Sequence, residues 1–455
     1  MDDRRQSIII VVFVFSAIII SMLLGLSLVI PFLLGLIFSG LVLSKRGFSR
    51  DRIFQMVGSG IRDCTRLYFF ILLIGANISV WMASGTVPAM IYYGFDFLDG
   101  ANFLLIAFFI TALMSVFMGS AVGTIGTLGI AILGIGRGFG IPHGIILGTL
   151  VSGAFVADKI SPISGLVNLN LHVTEVKFRD LMVCMQKTFL PVFLLGALFY
   201  FLVGLGFEVS DNGEAIFKLQ AALQEGFYIS PWLFILPLLT VILPVLGVNI
   251  IITILTVLSG GIFLAYFFQG TSFLQIIKHI FYGFSPATNS GELNEILVGG
   301  GVLGMVEVVF IVGAVIALSG LLDQSGTLKP LLQPSIQKVE KKRELFLKSG
   351  LLGSLLTAFD QTVGIVLTAR VYGKKYRELN VHPAYLARTI SDSSTVLAPI
   401  IPWNVNVVII SSITGISVLQ YGPYAALCYL FPLVVGWIYL QDLFFSRRTI
   451  PKKTP

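Results

Sequence analysis

The sequence predicts an all-α polytopic membrane protein of two inverted-topology repeats, each with about five spans plus one re-entrant hairpin and with broken helices at the midplane. Three observations predict it. Of 455 residues, 56% are hydrophobic and only 12% charged, with a mean hydropathy of +0.93, whereas a soluble domain carries about twice that charge. Charge-free stretches exceed the length of one membrane crossing. The loops alternate between basic and acidic, as the positive-inside rule requires. The net charge of +7 sits largely in the basic loops and does not point to nucleic acid.

Ser7–Leu43 is 37 residues without a charge. As one helix it would run about 55 Å against about 30 Å of hydrocarbon, so it divides into two spans near Gly25–Pro31. Arg4 and Arg5 precede it with no small-residue cleavage site, which makes it a first span and not a removed signal. Six basic residues between Lys45 and Arg66, against Asp51 and Asp63, place the next loop and the N-terminus in the cytoplasm. A span over Leu67–Pro88 leads to an outer loop with Asp96 and Asp99. Phe103–Ile141, interrupted at Gly119–Gly126, is followed by Pro142–Asn170 and a basic loop with Lys177, Arg179 and Lys187. Leu190–Phe207 then ends in an acidic loop carrying Glu208, Asp211, Glu214 and Glu225.

The second half repeats this plan. Trp232–Leu246 and Val248–Phe268 are spans, a polar loop runs to Gly301, and Val302–Leu322 is a span before Lys338, Lys341, Lys342, Arg343 and Lys348. Leu351–Ala369, a second basic loop (Arg370, Lys374, Lys375, Arg377), Pro383–Ile416, Tyr424–Leu440 and a basic tail (Arg447, Arg448, Lys452, Lys453) complete it. If Leu351–Ala369 crossed the membrane, its two basic flanks would lie on opposite sides. A hairpin that dips in and returns keeps both flanks and the C-terminus cytoplasmic. The same treatment of Phe103–Ile141 leaves both acidic loops outside. Twelve ordinary spans with one loop violating the charge rule is the alternative.

At an offset of 241 residues, Ser84-Gly85-Thr86 matches Ser325-Gly326-Thr327, Val122-Gly123 matches Val363-Gly364, and Pro142 and Ser152 match Pro383 and Ser393. Residues 1–226 and 227–455 are thus read as two repeats. Five spans is an odd number, so the second copy is inverted. Inverted repeats with broken helices are the sequence-level sign of a secondary transporter.

Carboxylates within such spans are rare, because an uncompensated one costs several kcal/mol or takes up a proton. Asp158 precedes Lys159 and the Ser161-Pro162 break, Asp360 sits at the centre of Gly353–Thr368, and Asp392 heads a polar run four residues after Arg388. Lys159 and Arg388 are their charge partners, either functional or structural. Glu307 lies in an apolar helix, buried or facing a cavity. Ser120, Thr124, Thr127, Ser161, Ser164, Asn168, Ser393, Thr395 and Asn404 supply neutral oxygens, and Pro162, Pro399 and Pro402 free backbone carbonyls. A few oxygens with one or two negative charges suit Na⁺. Close helix packing is the other use of the small residues. Three dispersed cysteines and four dispersed histidines give no disulfide framework and no transition-metal site. Gly136-Arg137-Gly138-Phe139-Gly140 is not a nucleotide loop. No nucleophile–base pair appears in the spans, so no enzyme and no cofactor is expected.

These motifs are similar to those of the NhaC-type Na⁺/H⁺ antiporters. The resemblance is carried by Gly123-Thr124-Ile125-Gly126-Thr127, Gly140-Ile141-Pro142, Asp158-Lys159-Ile160-Ser161-Pro162-Ile163-Ser164, Asp360-Gln361, and the run from His382-Pro383 through Arg388-Thr389 and Asp392-Ser393 to Pro402-Trp403-Asn404. It implies the inverted-repeat ion-transporter fold, Na⁺ (or Li⁺) for H⁺ exchange at the inner membrane, and ion or proton handling at Asp158, Asp360 and Asp392. A homodimer is a family-level expectation. Relatives of this kind also exchange malate for lactate, or amino acids. The chain departs from the pattern at Gly165, where the family carries Asp, at Val122, where an aromatic is common, and at Glu307, where an uncharged residue is expected.

Overall fold

The structure is a computed structural model, and it describes residues 2–98, 101–207, 213–286, 288, 290–328, 330–331, 339–358 and 360–440. Asp99, Glu208, Asp211, Lys338 and the basic tail lie outside these residues. Among the described residues seven helices are long and apolar enough to cross a membrane, or up to ten if each bent pair is one span. The chain is a multi-pass membrane protein. No strand occurs among the described residues; one isolated antiparallel bridge joins Phe284 and Gly299.

The charge-free N-terminal stretch divides as its length requires, into Asp2–Leu23 and Val29–Lys45, with Gly25 at φ 65° in the turn. Several segments expected as loop are helical, the acidic one among them at Gly213–Gly226. The basic stretch folds into Arg50–Asp63, and the polar loop holds Phe273–Tyr282 and Gly291–Ile296. Helix caps account for this: Ser49, Ser272 and Ser290 each accept a first-turn N–H.

Both interrupted stretches fold back as helical hairpins. In the first, Phe103–Met118 ends at Gly119 (φ 66°), Ser120 caps the returning helix Ala121–Gly138, and that helix contains a π turn at Ile125–Gly129. Phe103 meets Phe139 with ring centroids 5.5 Å apart, while Met118 Sδ lies 3.5 Å from Thr124 Oγ1. Pairs at both ends of the legs fix them as antiparallel. In the second, Lys342–Thr357 and Gln361–Glu378 pair Ser349 with Tyr376 (3.0 Å between hydroxyls) and Thr357 with Gly364. A Cβ on Gly364 would stand 2.8 Å from Thr357 Oγ1 and 3.2 Å from Gly353 O, so glycine permits the close approach.

The halves repeat local geometry in detail. Ser84 and Thr86 hydroxyls lie 2.8 Å apart around Gly85 (φ 77°), and Ser325 and Thr327 lie 2.7 Å apart around Gly326 (φ 69°). Each returning hairpin leg ends in the same pair of bonds: Gly140 N to Arg137 O with Ile141 N to Gly136 O, and Asn380 N to Arg377 O with Val381 N to Tyr376 O. Next come two 12-residue helices, His143–Ala154 and Pro383–Ser394. A break follows each, with the short turns Ala157–Ile160 and Ala398–Ile400, and then two 10-residue helices, Gly165–Thr174 and Val405–Thr414. In the most apolar 18-residue stretches of Ala121–Gly138 and His143–Thr174, 94% of the residues are buried, against 28% in that of Phe178–Gly204, so protein wraps these helices where they approach their breaks.

Candidate functional site

The first broken helix delivers a buried cation to the second half. After Ala154 the helix loosens, Ala157–Ile160 makes one turn, and Ser161 with Pro162 prevents its continuation. Lys159, 1% exposed, places Nζ 2.7 Å from Asp392 Oδ1 and donates to Ser391 O at 3.0 Å. The Phe431 ring lies 3.8 Å beneath it. The other carboxylate oxygen of Asp392 is 4.0 Å from Arg388 Nε, and the Arg388 guanidinium lies 5.1 Å from the Tyr385 ring centroid. Arg388 and Asp392 share one helix face at i, i+4, yet the closer partner of Asp392 comes from the other half.

Asp158 is buried beside this pair with no ion-pair partner among the described residues. Its Oδ1 accepts from Ser164 Oγ at 3.3 Å. Ser164 precedes helix Gly165–Thr174, but its hydroxyl makes no capping bond to that helix.

The second hairpin tip is polar and tightly knit. Asp360 is half-buried and caps its helix, accepting from Thr362 N (2.7 Å) and Val363 N (3.4 Å). Gln361 donates to Thr395 O, Thr357 donates to Ser394 O, and Asn404 donates to Thr357 O, at 2.9, 2.9 and 3.0 Å. Asn406 donates to Gln361 Oε1 at 2.9 Å. The hairpin is thereby locked to the break that follows Pro383–Ser394.

Residues 166–440 match the Na⁺/H⁺ antiporter family. The chain is 30% identical over 424 residues to the malate-2H⁺/Na⁺-lactate antiporter of Bacillus subtilis, covering 92% of this chain and 90% of that protein. It is 29% identical over 381 residues to the Na⁺/H⁺ antiporter NhaC of Alkalihalophilus pseudofirmus, covering 82% of each chain. It is 30% identical over 438 residues to the arginine/ornithine antiporter ArcD of Halobacterium salinarum, covering 92% of this chain and 89% of that protein. The chain belongs to the Na⁺/H⁺ antiporter family.

In this family member the expected site residues fall into three places. Asp158, Lys159, Ser164, Arg388 and Asp392 gather at the first break. Asp360, Thr395 and Asn404 gather at the second tip. At the first tip Ser120 caps Gly123 N, Thr124 donates to Ser120 O at 2.8 Å, Thr127 donates to Gly123 O at 2.8 Å, and Ser161 donates to Val116 O at 2.6 Å. Asn168 is exposed and donates to Pro162 O and Ser164 O, while Ser393 donates to Thr389 O. The three aspartates do not form one cluster: no group of three acidic, His or Cys side chains is arranged to hold a metal among the described residues. Glu307 stands apart. Its expected burial is not found; the side chain is exposed and accepts from Ser27 Oγ at 2.7 Å. Sequence reasoning gave no role to Gln361, Thr357, the Ser391 carbonyl or Phe431. Only Gln361, inside a quoted motif, carried a signal.

Proposed function

We propose that the protein exchanges Na⁺ (or Li⁺) for H⁺ across the cytoplasmic membrane by alternating access, with both termini in the cytoplasm. The observation that carries this reading is Asp158, a buried carboxylate held by one hydroxyl and, among the described residues, by no cation, one residue from a lysine committed to Asp392. A buried carboxylate is tolerated only when a proton or a cation neutralises it. Proton and Na⁺ therefore compete for Asp158, with Ser164 as a neutral ligand, and that competition couples the two fluxes. Lys159 and Asp392 neutralise each other across the halves. Asp360, Ser393, Thr395 and Asn404 form the matching shell in the second half, Ser120, Thr124, Ser161 and Asn168 line the approach in the first, and Glu307 lies outside the path.

The repeated hairpins and breaks support two inverted repeats, 1–226 and 227–455. A 16-residue leg such as Lys342–Thr357 runs about 24 Å, short of the bilayer's about 30 Å, which suits a re-entrant hairpin. The test is dequenching of a pH dye in everted vesicles on adding Na⁺, Li⁺ or K⁺. Na⁺ or Li⁺ should release protons in the wild-type protein and not in Asp158→Asn. Equal release in that variant would remove Asp158 as the carrier.

A second reading, H⁺- or Na⁺-coupled exchange of small organic acids or amino acids, is favoured by the relatives named for malate, lactate, arginine and ornithine.

A further inference from the structure

We propose that a phosphate group, from free phosphate or an anionic lipid headgroup, binds where the returning leg of the second hairpin meets the end of helix Gly165–Thr174. The site lies apart from Asp158, Asp360 and Asp392 and does not depend on the antiport reading. The cavity there has a volume of about 210 Å³, below the ~300–1,000 Å³ of sites for whole small molecules, which suits one compact charged group. Thr174 and Glu175 of the first half form one side of its wall. Arg370, Gly373, Lys374 and Arg377 of the leg form the other, with Pro383 at the start of the next helix.

Arg370, Gly373, Lys374 and Arg377 recur at three- and four-residue spacing, so one face of Gln361–Glu378 presents three cations to the cavity. Arg370 and Arg377 are exposed and make no ion pair among the described residues. Lys374 stands 3.9 Å from Glu378, whose nearer cation is Lys375 at 3.3 Å. Gly373 lies amid the three, in a helix interior that glycine weakens. A Cβ there would meet only Leu386 Cδ2, at 3.9 Å. Packing does not force that glycine, and it leaves the centre of the cationic face open.

The wall also holds features that oppose an anion, and three full cations outweigh them. Glu175 is the one acid lining the cavity, and its carboxylate makes no ion pair among the described residues, so it does not neutralise the cluster. The ends of Gly165–Thr174 and Gln361–Glu378 carry partial negative charge, about half a unit each. Their last turns are closed: Glu175 N and Val176 N donate to His172 O and Leu171 O, and Asn380 N and Val381 N to Arg377 O and Tyr376 O. The one helix start, at Pro383, has Ala384 N capped by His382 Nδ1, so backbone donors add nothing. Binding therefore rests on two guanidinium forks, which match phosphate oxygens in pairs, and one ammonium. The charge rule puts this basic loop at the cytoplasmic face, where anionic headgroups and free phosphate are both met.

The cavity joins the far ends of the elements that carry the three aspartates. Gly165–Thr174 follows Ser164, which holds Asp158; Gln361–Glu378 starts behind Asp360; Pro383–Ser394 carries Asp392. Asn170 Nδ2 already ties the first of these to Ala387 O of the third at 2.7 Å. A bound phosphate relieves the repulsion among the three cations and steadies that junction.

Full-length protein in neutral detergent, titrated at constant ionic strength with inorganic phosphate and with short-chain phosphatidylglycerol, tests this through the rise in its unfolding midpoint. Wild-type protein should show a saturable rise with at least one probe. A rise with phosphatidylglycerol alone identifies a lipid headgroup as the source, and a rise with inorganic phosphate identifies free phosphate. Arg370→Gln and Arg377→Gln should each weaken the apparent Kd about fivefold or more, and Glu175→Gln should tighten it about threefold. Arg62→Gln, which removes a cation outside the cavity, should leave it unchanged. All four side chains are exposed, so these substitutions leave the fold intact. No saturable rise with either probe, unchanged affinity in Arg370→Gln and Arg377→Gln, weakening in Glu175→Gln, or equal weakening in Arg62→Gln would overturn the proposal.

Discussion

Laid over each other by the bounds of His143–Ala154 on Pro383–Ser394, an offset of 240 residues here rather than the 241 of the sequence matches, the halves place their charges at different positions. Arg388 and Asp392 of the second half correspond to Gly148 and Ser152 of the first, and Asp158 and Lys159 of the first correspond to Ala398 and Pro399 of the second. Where charge is missing, a phenol fills in. Tyr200 OH contacts Gly148 O at 3.3 Å and Ser152 Oγ at 2.6 Å, and Tyr421 OH donates to Pro399 O at 2.7 Å. At these positions each half is neutral where the other is charged, and Lys159 pairs with Asp392 across the halves. Similar local geometry in the two halves thus carries different charges. Asp158 is the charge left over when that pairing is complete.

The most severe break of this asymmetry is at Asp158 itself. Asp158→Asn should reduce Na⁺-driven proton release to background while leaving the melting temperature of purified protein unchanged or raised, because a buried carboxylate without a cation costs stability. A lowered melting temperature with retained transport would make Asp158 structural.

Next in size is the pair. Lys159→Met or Asp392→Asn leaves one buried charge without its partner and should cost about 3–5 kcal/mol, read as a lowered unfolding midpoint in detergent. The double variant removes both charges and should recover most of that loss. Additive losses would mean that Lys159 and Asp392 act separately. Arg388, still beside residue 392, is the reason to expect incomplete recovery.

The hairpin tips offer a gentler comparison. Ser120 caps the first and Asp360 the second, so Asp360→Ser converts the second tip into the chemistry of the first. A serine keeps the cap, and stability should move by less than about 1 kcal/mol. Removing the charge should raise the Na⁺ concentration for half-maximal proton release about tenfold. Unchanged Na⁺ dependence would confine Asp360 to capping.

Much of this plan was legible because its causes are local. The division of Ser7–Leu43 follows from length, and a fold-back at Leu351–Ala369 from the basic residues on both flanks, which the structure takes up into the longer legs Lys342–Thr357 and Gln361–Glu378. The i, i+4 relation of Arg388 and Asp392 is visible in sequence. Its displacement by Lys159, 233 residues away, is not, since no local spacing records which groups meet across the halves. Charge dominates the pattern of Arg50–Asp63, and Phe273–Tyr282, with Lys278 as its one charged residue, is too short for a span, so both read as loop despite their serine caps. The polar lock of Gln361, Thr357 and Asn406 was hidden for another reason: it depends on how the hairpin docks.

The smallest effect is expected at Glu307, which the register at 241 residues pairs with Arg66. Both are exposed near the start of corresponding helices, Thr65–Ala83 and Val302–Gln324. Arg66 lines a ligand-sized cavity, while Glu307 accepts from Ser27. Glu307→Gln retains an oxygen for the Ser27 hydroxyl and removes a charge from an exposed position. Stability should change by no more than about 0.5 kcal/mol, and Na⁺-driven proton release should keep its wild-type rate. A loss of transport in this variant would place a second carboxylate in the ion path and end the claim that the asymmetry resolves onto Asp158.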